Sequence, residues 1–400
     1  MNIAVQKNEI LLPWRDSEFR ANPYAWYKRL QTEAPLYKDP LSENTFVLSK
    51  FSDVMEFTQH PAMSMQAPDW VPPSPWDIFI DSVNVVDPPV QVEYRRKSNK
   101  WFTPKKSAEW TQATADAVKE ILDDIGPSGM VEAYHSLALI PAHKAMCKAL
   151  GVPSDGFDVA SVWMHDAMSA LGAIVTPEEE KRCLAAFGYL SDRVRHYIRC
   201  LETSPNEGLI SHWIEDLKSG NMTMQQLFEG MMLFWATATP NAAYLIAGGL
   251  EMFARYPDVF TMWQEQPEKR EAIFAEITRL HVSELSYVRF TKEEVVIHGQ
   301  TLPVGTRIRF MVAAANRDPD VFDHPDQFDV NRPPEQRKNL SFGVGAHICP
   351  GQMLTKAEAF AIYNTLAERV ERIELASDPI YKHNDRHADI DRLPLRLIFK

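Results

Sequence analysis

One short stretch, Phe342 to Gly351 with the sequence FGVGAHICPG, constrains the fold more than any other feature of the chain. Gly343 and Gly345 free the backbone for a tight turn that a Cβ atom would block. Pro350 and Gly351 then favour the start of a helix, so the pattern predicts that Cys349 lies at a helix N-terminus. The dipole and the free N–H groups at such a terminus stabilise a thiolate.

A thiolate among backbone donors suits an axial ligand of iron, because those donors tune the electron donation of the sulfur. The stretch resembles the signature of the cytochrome P-450 family of haem-thiolate enzymes, Phe-Gly-x-Gly-x-His/Arg-x-Cys-x-Gly, at every fixed position. The resemblance implies haem b as cofactor, with Cys349 as its axial thiolate. It further implies that Phe342, Gly343 and Gly351 belong to the cofactor site and that His347 binds a haem propionate.

Other parts of the chain match landmarks of the same family in the expected order. Glu276 and Arg279 match its Glu-x-x-Arg pair, and together with Arg332 they resemble the family's Glu–Arg–Arg lock behind the haem. Taken alone, a pair at this spacing is usually a solvated decoration of a helix surface. Arg289 stands where the family commonly has an arginine that binds a propionate.

The segment from Asp87 to Arg96 resembles the family's helix that crosses one haem edge. The resemblance makes Arg95 a second propionate ligand, as a fixed cation. Gln91 stands where the family usually has His, and it donates only a neutral hydrogen bond. We therefore expect Gln91 and Arg95 in the cofactor site, with one charge-assisted hydrogen bond fewer than the family usually has.

The uncharged stretch from Gly230 to Leu250 predicts a long helix buried on all sides, which the resemblance places on the oxygen side of the haem. The family usually has Ala/Gly-Gly-x-Asp/Glu-Thr there, and the acid and alcohol help to deliver protons. Here Pro240 takes the acid position and Asn241 the alcohol position; a one-residue shift puts Thr239 and Pro240 there instead. Pro240 predicts a kink that frees the carbonyl of Ala236. Either Asn241 merely satisfies that carbonyl, or Thr239, Pro240 and Asn241 are catalytic.

This departure leaves three functions open. We favour a monooxygenase that hydroxylates, dealkylates or similarly oxidises a substrate with O2 and electrons from separate redox partners. The replacement of the acid–alcohol pair also allows a peroxide-dependent or atypical reaction, such as peroxygenation, rearrangement or oxidative coupling. A haem sensor or electron carrier fits poorly with the large apolar loop described next.

The apolar loop from Pro61 to Asp87 is rich in Trp, Pro and Met, and a loop of this length in a compact chain is usually functional. We expect the substrate to be small to medium, largely apolar and potentially aromatic. Its contacts are predicted to come from the loop, the long helix and the segment after Glu284, namely Trp76, Phe79, Ala238 and Val288. The aromatic residues of the loop could equally belong to the core.

A basic run lies beside the predicted haem-edge helix, in a chain whose formal net charge is −12. It consists of Arg95, Arg96, Lys97, Lys100, Lys105 and Lys106. Such a run is either a solvated face or a docking surface for an acidic ferredoxin-type electron donor, itself fed by a reductase.

Composition excludes several other classes of protein. Hydrophobic residues make up 45% and charged residues 24% of the chain, which is ordinary globular usage. The negative charge disfavours nucleic acid and anionic membranes as partners. The four cysteines lack zinc-site or disulfide-scaffold spacing, and residues 1–20 lack a signal-peptide pattern. We therefore expect a cytoplasmic protein without a membrane or nucleic-acid partner.

The periodicity predicts a mostly α (α+β) fold. The resemblance covers roughly residues 15–400 and implies one P-450 domain over 1–400, triangular and helical with a small β-rich region. Helical patterns run from Pro89 to about Phe260 and from Gly351 to about Val370. Strand-like pieces are Thr45–Ser49, Val295–His298, Thr306–Ala313 and the tail Leu393–Phe399, which alternates like an edge strand.

Overall fold

The structure, a computed structural model, describes residues 10–382 and 384–400. Most of the described chain is helical, as the periodicity predicts. The helices are α1 (Ser17–Ala21), α2 (Tyr24–Glu33), α3 (Phe51–Phe57), α4 (Val90–Asn99), α5 (Pro104–Asp124), α6 (Ile140–Leu150), α7 (Phe157–Ala167), α8 (Pro177–Thr203), α9 (Leu209–Lys218), α10 (Met224–Met231), α11 (Ala238–Arg255), α12 (Pro257–Glu265), α13 (Arg270–Leu280), α14 (Val312–Ala315) and α15 (Gln352–Arg369).

Local sequence explains where the long helices begin. Thr176 caps α8 in a capping box with Glu179, and Thr223 caps α10 in the same way with Gln226. From Thr223 the chain stays helical to Arg255, because α10 passes into α11 through a π-helical turn at Met232–Thr237. The predicted long, buried helix is thus confirmed, with an irregular turn in its middle.

The strands form small sheets at the edges of the helical body. They are β1 (Leu36–Lys38), β2 (Thr45–Leu48), β3 (Met63–Ser64), β4 (Met130–Glu132), β5 (Tyr287–Thr291), β6 (Val295–Ile297), β7 (Gln300–Leu302), β8 (Arg307–Phe310), β9 (Val370–Leu375), β10 (Ile380–Tyr381), β11 (Ile390–Arg392) and β12 (Pro394–Phe399). The largest sheet has the order β1-β2-β8-β5-β3, with β2 and β8 parallel. Val288 of β5 lies opposite Arg309 of β8 in this sheet.

Two details of the strand prediction are wrong. The tail strand β12 is not an edge strand, because it lies between β4 and β9 and pairs with both. The strand predicted to reach Ala313 ends at Phe310, where the short helix α14 follows. The pairing of β12 with β4 joins residues more than 250 positions apart, which local alternation does not reveal.

The main hydrophobic core lies among the helices, where α5 packs on α6 and α15, and α11 packs on α12, α13 and α15. A second cluster lies beneath the large sheet and includes Phe46, Ile308 and Phe310. No helix in residues 10–382 or 384–400 is both long enough and apolar enough to cross a membrane. The signal-peptide prediction concerns residues 1–20, and residues 1–9 of this range lie outside the described residues.

Candidate active site

The turn before α15 has the conformation that the glycines predict. Gly343 and Gly345 have φ angles of 69° and 74°, in the left-handed region where a side chain is strained. A Cβ atom at Gly345 would come within 2.7 Å of the Gln59 side chain. The N–H of Cys349 donates to the carbonyl of Phe342 at 2.8 Å, which closes the turn and presents the thiol just before α15.

The Cys349 sulfur lies among donors at the helix start, as predicted. The backbone N–H groups of Gly351 and Gln352 donate to it, and the Arg95 guanidinium is near enough to favour the thiolate. Cys349 is exposed towards the cavity described next, but the surrounding protein still desolvates its thiol; this effect outweighs these contributions and raises the pKa of the thiol above its ordinary value. A positive ion bound to the sulfur would reverse that balance, because it favours the deprotonated form.

The thiol opens onto a cavity of about 1380 Å³. This volume exceeds the 300–1,000 Å³ typical of a pocket for one small ligand, so a planar cofactor and a substrate fit together. Phe342, Gly343, His347 and Gly351 line the same wall as Cys349.

Cationic and hydrogen-bonding groups converge on the cavity. Arg289 projects from β5, and burial lowers its pKa to about 10. Burial, followed by the charge of Arg289, lowers the pKa of His347 to about 4, and the His347 Nδ1 atom is buried without a hydrogen-bond partner. Arg95 reaches the Cys349 turn, where it donates to the carbonyl of Ile348 at 2.5 Å. These groups suit a ligand with carboxylates, so the residues present fit haem b.

Gln91 does not line the cavity. Its side chain is buried, and its amide Nε2 donates to the carbonyl of Ala346 at 2.6 Å. The sequence predicts that Gln91 contacts the cofactor, whereas in the structure its side chain binds the turn that carries Cys349; α4 thus holds this turn through both Gln91 and Arg95.

The long helix that runs from α10 to α11, called the distal helix below, contains both the π-helical turn and Pro240. The Thr237 hydroxyl donates to the carbonyl of Leu233 at 2.6 Å, and the Asn241 amide donates to the carbonyl of Thr237 at 2.9 Å. Asn241 thus satisfies a carbonyl of its own helix, although that carbonyl belongs to Thr237 and not to Ala236.

The three predicted catalytic residues differ in their access to the cavity. Thr239 and Asn241 line it, whereas Pro240 is buried and does not. The Thr239 hydroxyl is buried without a hydrogen-bond partner. Pro240 therefore shapes the helix without facing the cavity.

All four predicted substrate residues line the cavity: Trp76, Phe79, Ala238 and Val288. Trp76 and Phe79 also pack on the ring of Phe187 in α8, with ring centroids 5.2 and 5.6 Å away. Both rings therefore serve as core and as cavity wall.

Glu276, Arg279 and Arg332 form a buried cluster behind the Cys349 turn. Arg279 binds Glu276 through two hydrogen bonds of 2.7 and 2.9 Å, and Arg332 Nε lies 3.1 Å from Glu276 Oε1. Arg279 also donates to the carbonyls of Asn316, Pro325 and Gln327. The cluster therefore joins α13 to the loop that leads to the Cys349 turn.

The sequence analysis missed His387, which lies before β11. Its Nε2 atom is 3.0 Å from Asn241 Oδ1, and the ring is buried. No local pattern marks this residue, because the contact joins positions 146 apart.

Several known proteins are similar to this chain in sequence. The family described as Cytochrome P450 matches residues 270–377, which include the lock and the Cys349 turn. A vitamin D(3) 25-hydroxylase from Pseudonocardia autotrophica is 26% identical and covers 95% of this chain and 94% of its own length. A 6-deoxyerythronolide B hydroxylase from Saccharopolyspora erythraea is 25% identical and covers 85% of this chain and 84% of its own length.

A solved structure shows the same fold. The cytochrome P450 enzyme CxnD, described as acting in C–S bond formation in chuangxinmycin biosynthesis, has a TM-score of 0.86 and 22% identity. The match covers 98% of each chain.

Fold and site together define a haem-thiolate oxidoreductase with haem b as cofactor and Cys349 as the axial thiolate. The chain belongs to the cytochrome P450 superfamily and resembles its bacterial members. Within that superfamily it is a monooxygenase.

Proposed function

We propose that this monooxygenase inserts oxygen into a small to medium, largely apolar substrate, with electrons from a separate protein. The observation that carries the proposal is the cavity, which is lined by Cys349, by many apolar side chains and by a set of polar and charged ones. Trp76, Phe79 and Val288 offer dispersion contacts to an apolar substrate and exclude water, and polar groups of the lining would fix its orientation. The names of the two hydroxylases above support this type of reaction.

The chain's own residues would hold the cofactor from several elements. Arg289, His347 and Arg95 would bind the carboxylates of the haem, and Gln91 would fix the turn that carries the sulfur. Phe342 packs beside the thiolate, and Gly343 and Gly351 leave room for the cofactor. When bound, haem supplies the redox-active iron at which oxygen is activated.

The electron donor would dock on α4 beside the Cys349 turn. Arg96 of α4, Lys100 just after it and Lys105 at the start of α5 are exposed, and Ile348 adds an exposed apolar side chain next to the sulfur. A basic surface on a protein of net charge −12 suits an acidic partner of the ferredoxin type, because opposite charges steer the encounter. A reductase would in turn supply electrons to that ferredoxin.

The proposal is tested by measuring product formed per NAD(P)H consumed. Substrates are first found among small apolar and aromatic compounds by the shift they cause in haem absorption. The purified protein is then supplied with a surrogate ferredoxin and reductase, and separately with hydrogen peroxide alone. The proposal predicts product with the electron donors and oxygen, and product only with peroxide would contradict it.

A peroxide-dependent or atypical reaction is the second candidate, and one observation favours it. The Asn241 side chain is bonded to Thr237 and His387, and an amide does not pass on protons as an acid and an alcohol do. CxnD, which has the same fold, is described as acting in C–S bond formation, and this supports an atypical reaction as the alternative. Product formation with peroxide at a rate above that with electron donors would favour this candidate.

A further inference from the structure

The orientation of the Asn241 amide follows from its two partners. The carbonyl of Thr237 can only accept a hydrogen bond, so the amide nitrogen must face it, at 2.9 Å. The amide oxygen then faces His387 Nε2 at 3.0 Å. Since this oxygen can only accept, His387 must carry a proton on Nε2.

His387 is held firmly enough to impose this orientation. Asn384 Oδ1 accepts hydrogen bonds from the backbone N–H of His387 and of Arg386, at 2.6 and 2.9 Å. The N–H of Ala388 donates to the carbonyl of Ser283 at 2.7 Å, which ties the segment to the chain after α13. His387 itself is 2% exposed. Burial lowers its pKa, which favours the neutral ring with a single N–H.

The amide has one N–H left after these two contacts. In the described part of the chain, the hydrogen bonds of the Asn241 side chain go to Thr237 and His387. Asn241 is half-buried and lines the cavity, and the unpartnered hydroxyl of Thr239 lines it as well. The distal wall thus offers a donor whose direction is fixed, where a free amide could turn either its oxygen or its nitrogen inward.

We propose that His387 is a positioning residue that locks Asn241, so that the distal wall presents a fixed N–H donor and not a proton relay. The ligand it suits is a small oxygen-containing group in the cavity, such as water, peroxide or an oxygen atom of the substrate. The proposal rests on the haem-containing active site described above, and it assigns to the segment Asn384–Asp389 a part in the distal pocket. The His387 ring acts only through Asn241.

The first test uses the reduced holoprotein under carbon monoxide, and its readout does not depend on activity. Protein with ¹⁵N-labelled histidine is examined by NMR, and the His387 signals are identified as those missing in His387→Gln. The proposal predicts a neutral ring protonated at Nε2 near pH 7. A ring protonated only at Nδ1 would overturn it, because such a ring has no proton to donate to Asn241.

The second test uses the C–O stretch of the reduced holoprotein under carbon monoxide, which falls when a donor faces the ligand. We expect one narrow band in the wild type, kept in His387→Gln, because the glutamine amide can also donate to Asn241. His387→Leu should shift the band upward and broaden it. Asn241→Leu should shift it upward, and His387→Leu should then add no further change.

Two results would overturn the proposal. One is a C–O band in His387→Leu that is the same as in the wild type. The other is a shift caused by His387→Leu that is equally large in the wild type and in Asn241→Leu. The thiolate-type absorption of the same samples reports separately on the active-site assignment. Failure of that assignment would remove the thiolate band from the wild type, whereas failure of the His387 proposal would leave it intact. A matched thermal unfolding midpoint shows that the variants are folded.

Discussion

Single residues decide whether the turn at the sulfur can form. Gly343 has a φ of 69°, and a Cβ atom there would meet only the His347 carbonyl, at 3.8 Å. Its requirement for glycine is therefore conformational and not steric. At Gly345 a side chain would suffer the same backbone strain, and its Cβ atom would also clash with the Gln59 side chain.

Gly343→Ala should lower the free energy of unfolding by about 1–2 kcal/mol, the cost of a left-handed L-residue. Gly188→Ala is the control, because Gly188 is exposed in α8 with nothing within 4 Å of an added Cβ. That substitution should instead stabilise the helix, by about 0.5–1 kcal/mol. Urea unfolding measures the free energy of unfolding of both variants. Equal changes in the two would show that Gly343 is not required for its backbone conformation.

His143 gives the protein a predictable response to acid. Its ring stacks on Phe157 with centroids 3.9 Å apart, and burial lowers its pKa to about 3. The unfolded chain binds a proton at this position near pH 6.5, whereas the folded chain does not. Titration of His143 therefore leaves the free energy of unfolding unchanged above about pH 6.5. As the pH falls from there towards 3, it lowers the free energy of unfolding by up to about 1.4 kcal/mol per pH unit.

His143→Gln should make the fall in stability between pH 6 and 4 shallower by up to that amount. Urea unfolding at several pH values measures the slope. His196→Gln, at an exposed position of α8, should leave the slope as in the wild type. An identical slope in the His143 variant would refute this prediction.

At the scale of elements, the Glu276 cluster fixes α13 against the loop that leads to the Cys349 turn. Its three side chains are almost fully buried, so each charge depends on the others. Glu276→Gln would leave two buried guanidinium groups without a counter-charge. We expect a loss of about 3–5 kcal/mol in stability, measured by urea unfolding.

The matched control is Glu33→Gln, which removes the same charge from an exposed pair with Arg29 on α2. We expect no measurable change in stability there. A cost for Glu276→Gln no larger than for Glu33→Gln would show that the cluster does not hold these elements together.

The sequence predicts elements well where the signal is local. The capped start at Thr223, the helix after Gly351 and the strand at Thr45 follow from caps, periodicity and β-branched residues. Predictions that depend on partners distant in the chain were weaker, as β12 shows. The link between Asn241 and His387 is of this second kind, since it depends on how the C-terminal segment packs on α11.

At the scale of the whole molecule, charge is distributed unevenly. The net charge of −12 contrasts with the exposed cations of α4, next to the turn that carries the sulfur. Another part of the cavity wall, at Trp76, is covered by Phe187 of α8. A donor steered by charge would thus reach the thiolate side.

The paired reversal Arg96→Glu and Lys100→Glu should slow reduction by a ferredoxin-type donor about tenfold at low ionic strength, with less effect as salt is added. Stopped-flow reduction measures the rate. The paired reversal Lys181→Glu and Arg199→Glu, at exposed positions of α8, changes the net charge by the same amount, and this control should keep the wild-type rate. A decrease shared equally by both variants would mean that net charge, and not the α4 surface, sets the rate.

If Cys349 binds the haem iron through its thiolate, the absorption spectrum of the reduced protein under carbon monoxide must show it. We expect the red-shifted band characteristic of thiolate ligation in the wild type, and its loss in a folded Cys349→Ser variant. A wild-type holoprotein without that band, or a serine variant that keeps it, would show that Cys349 is not the ligand.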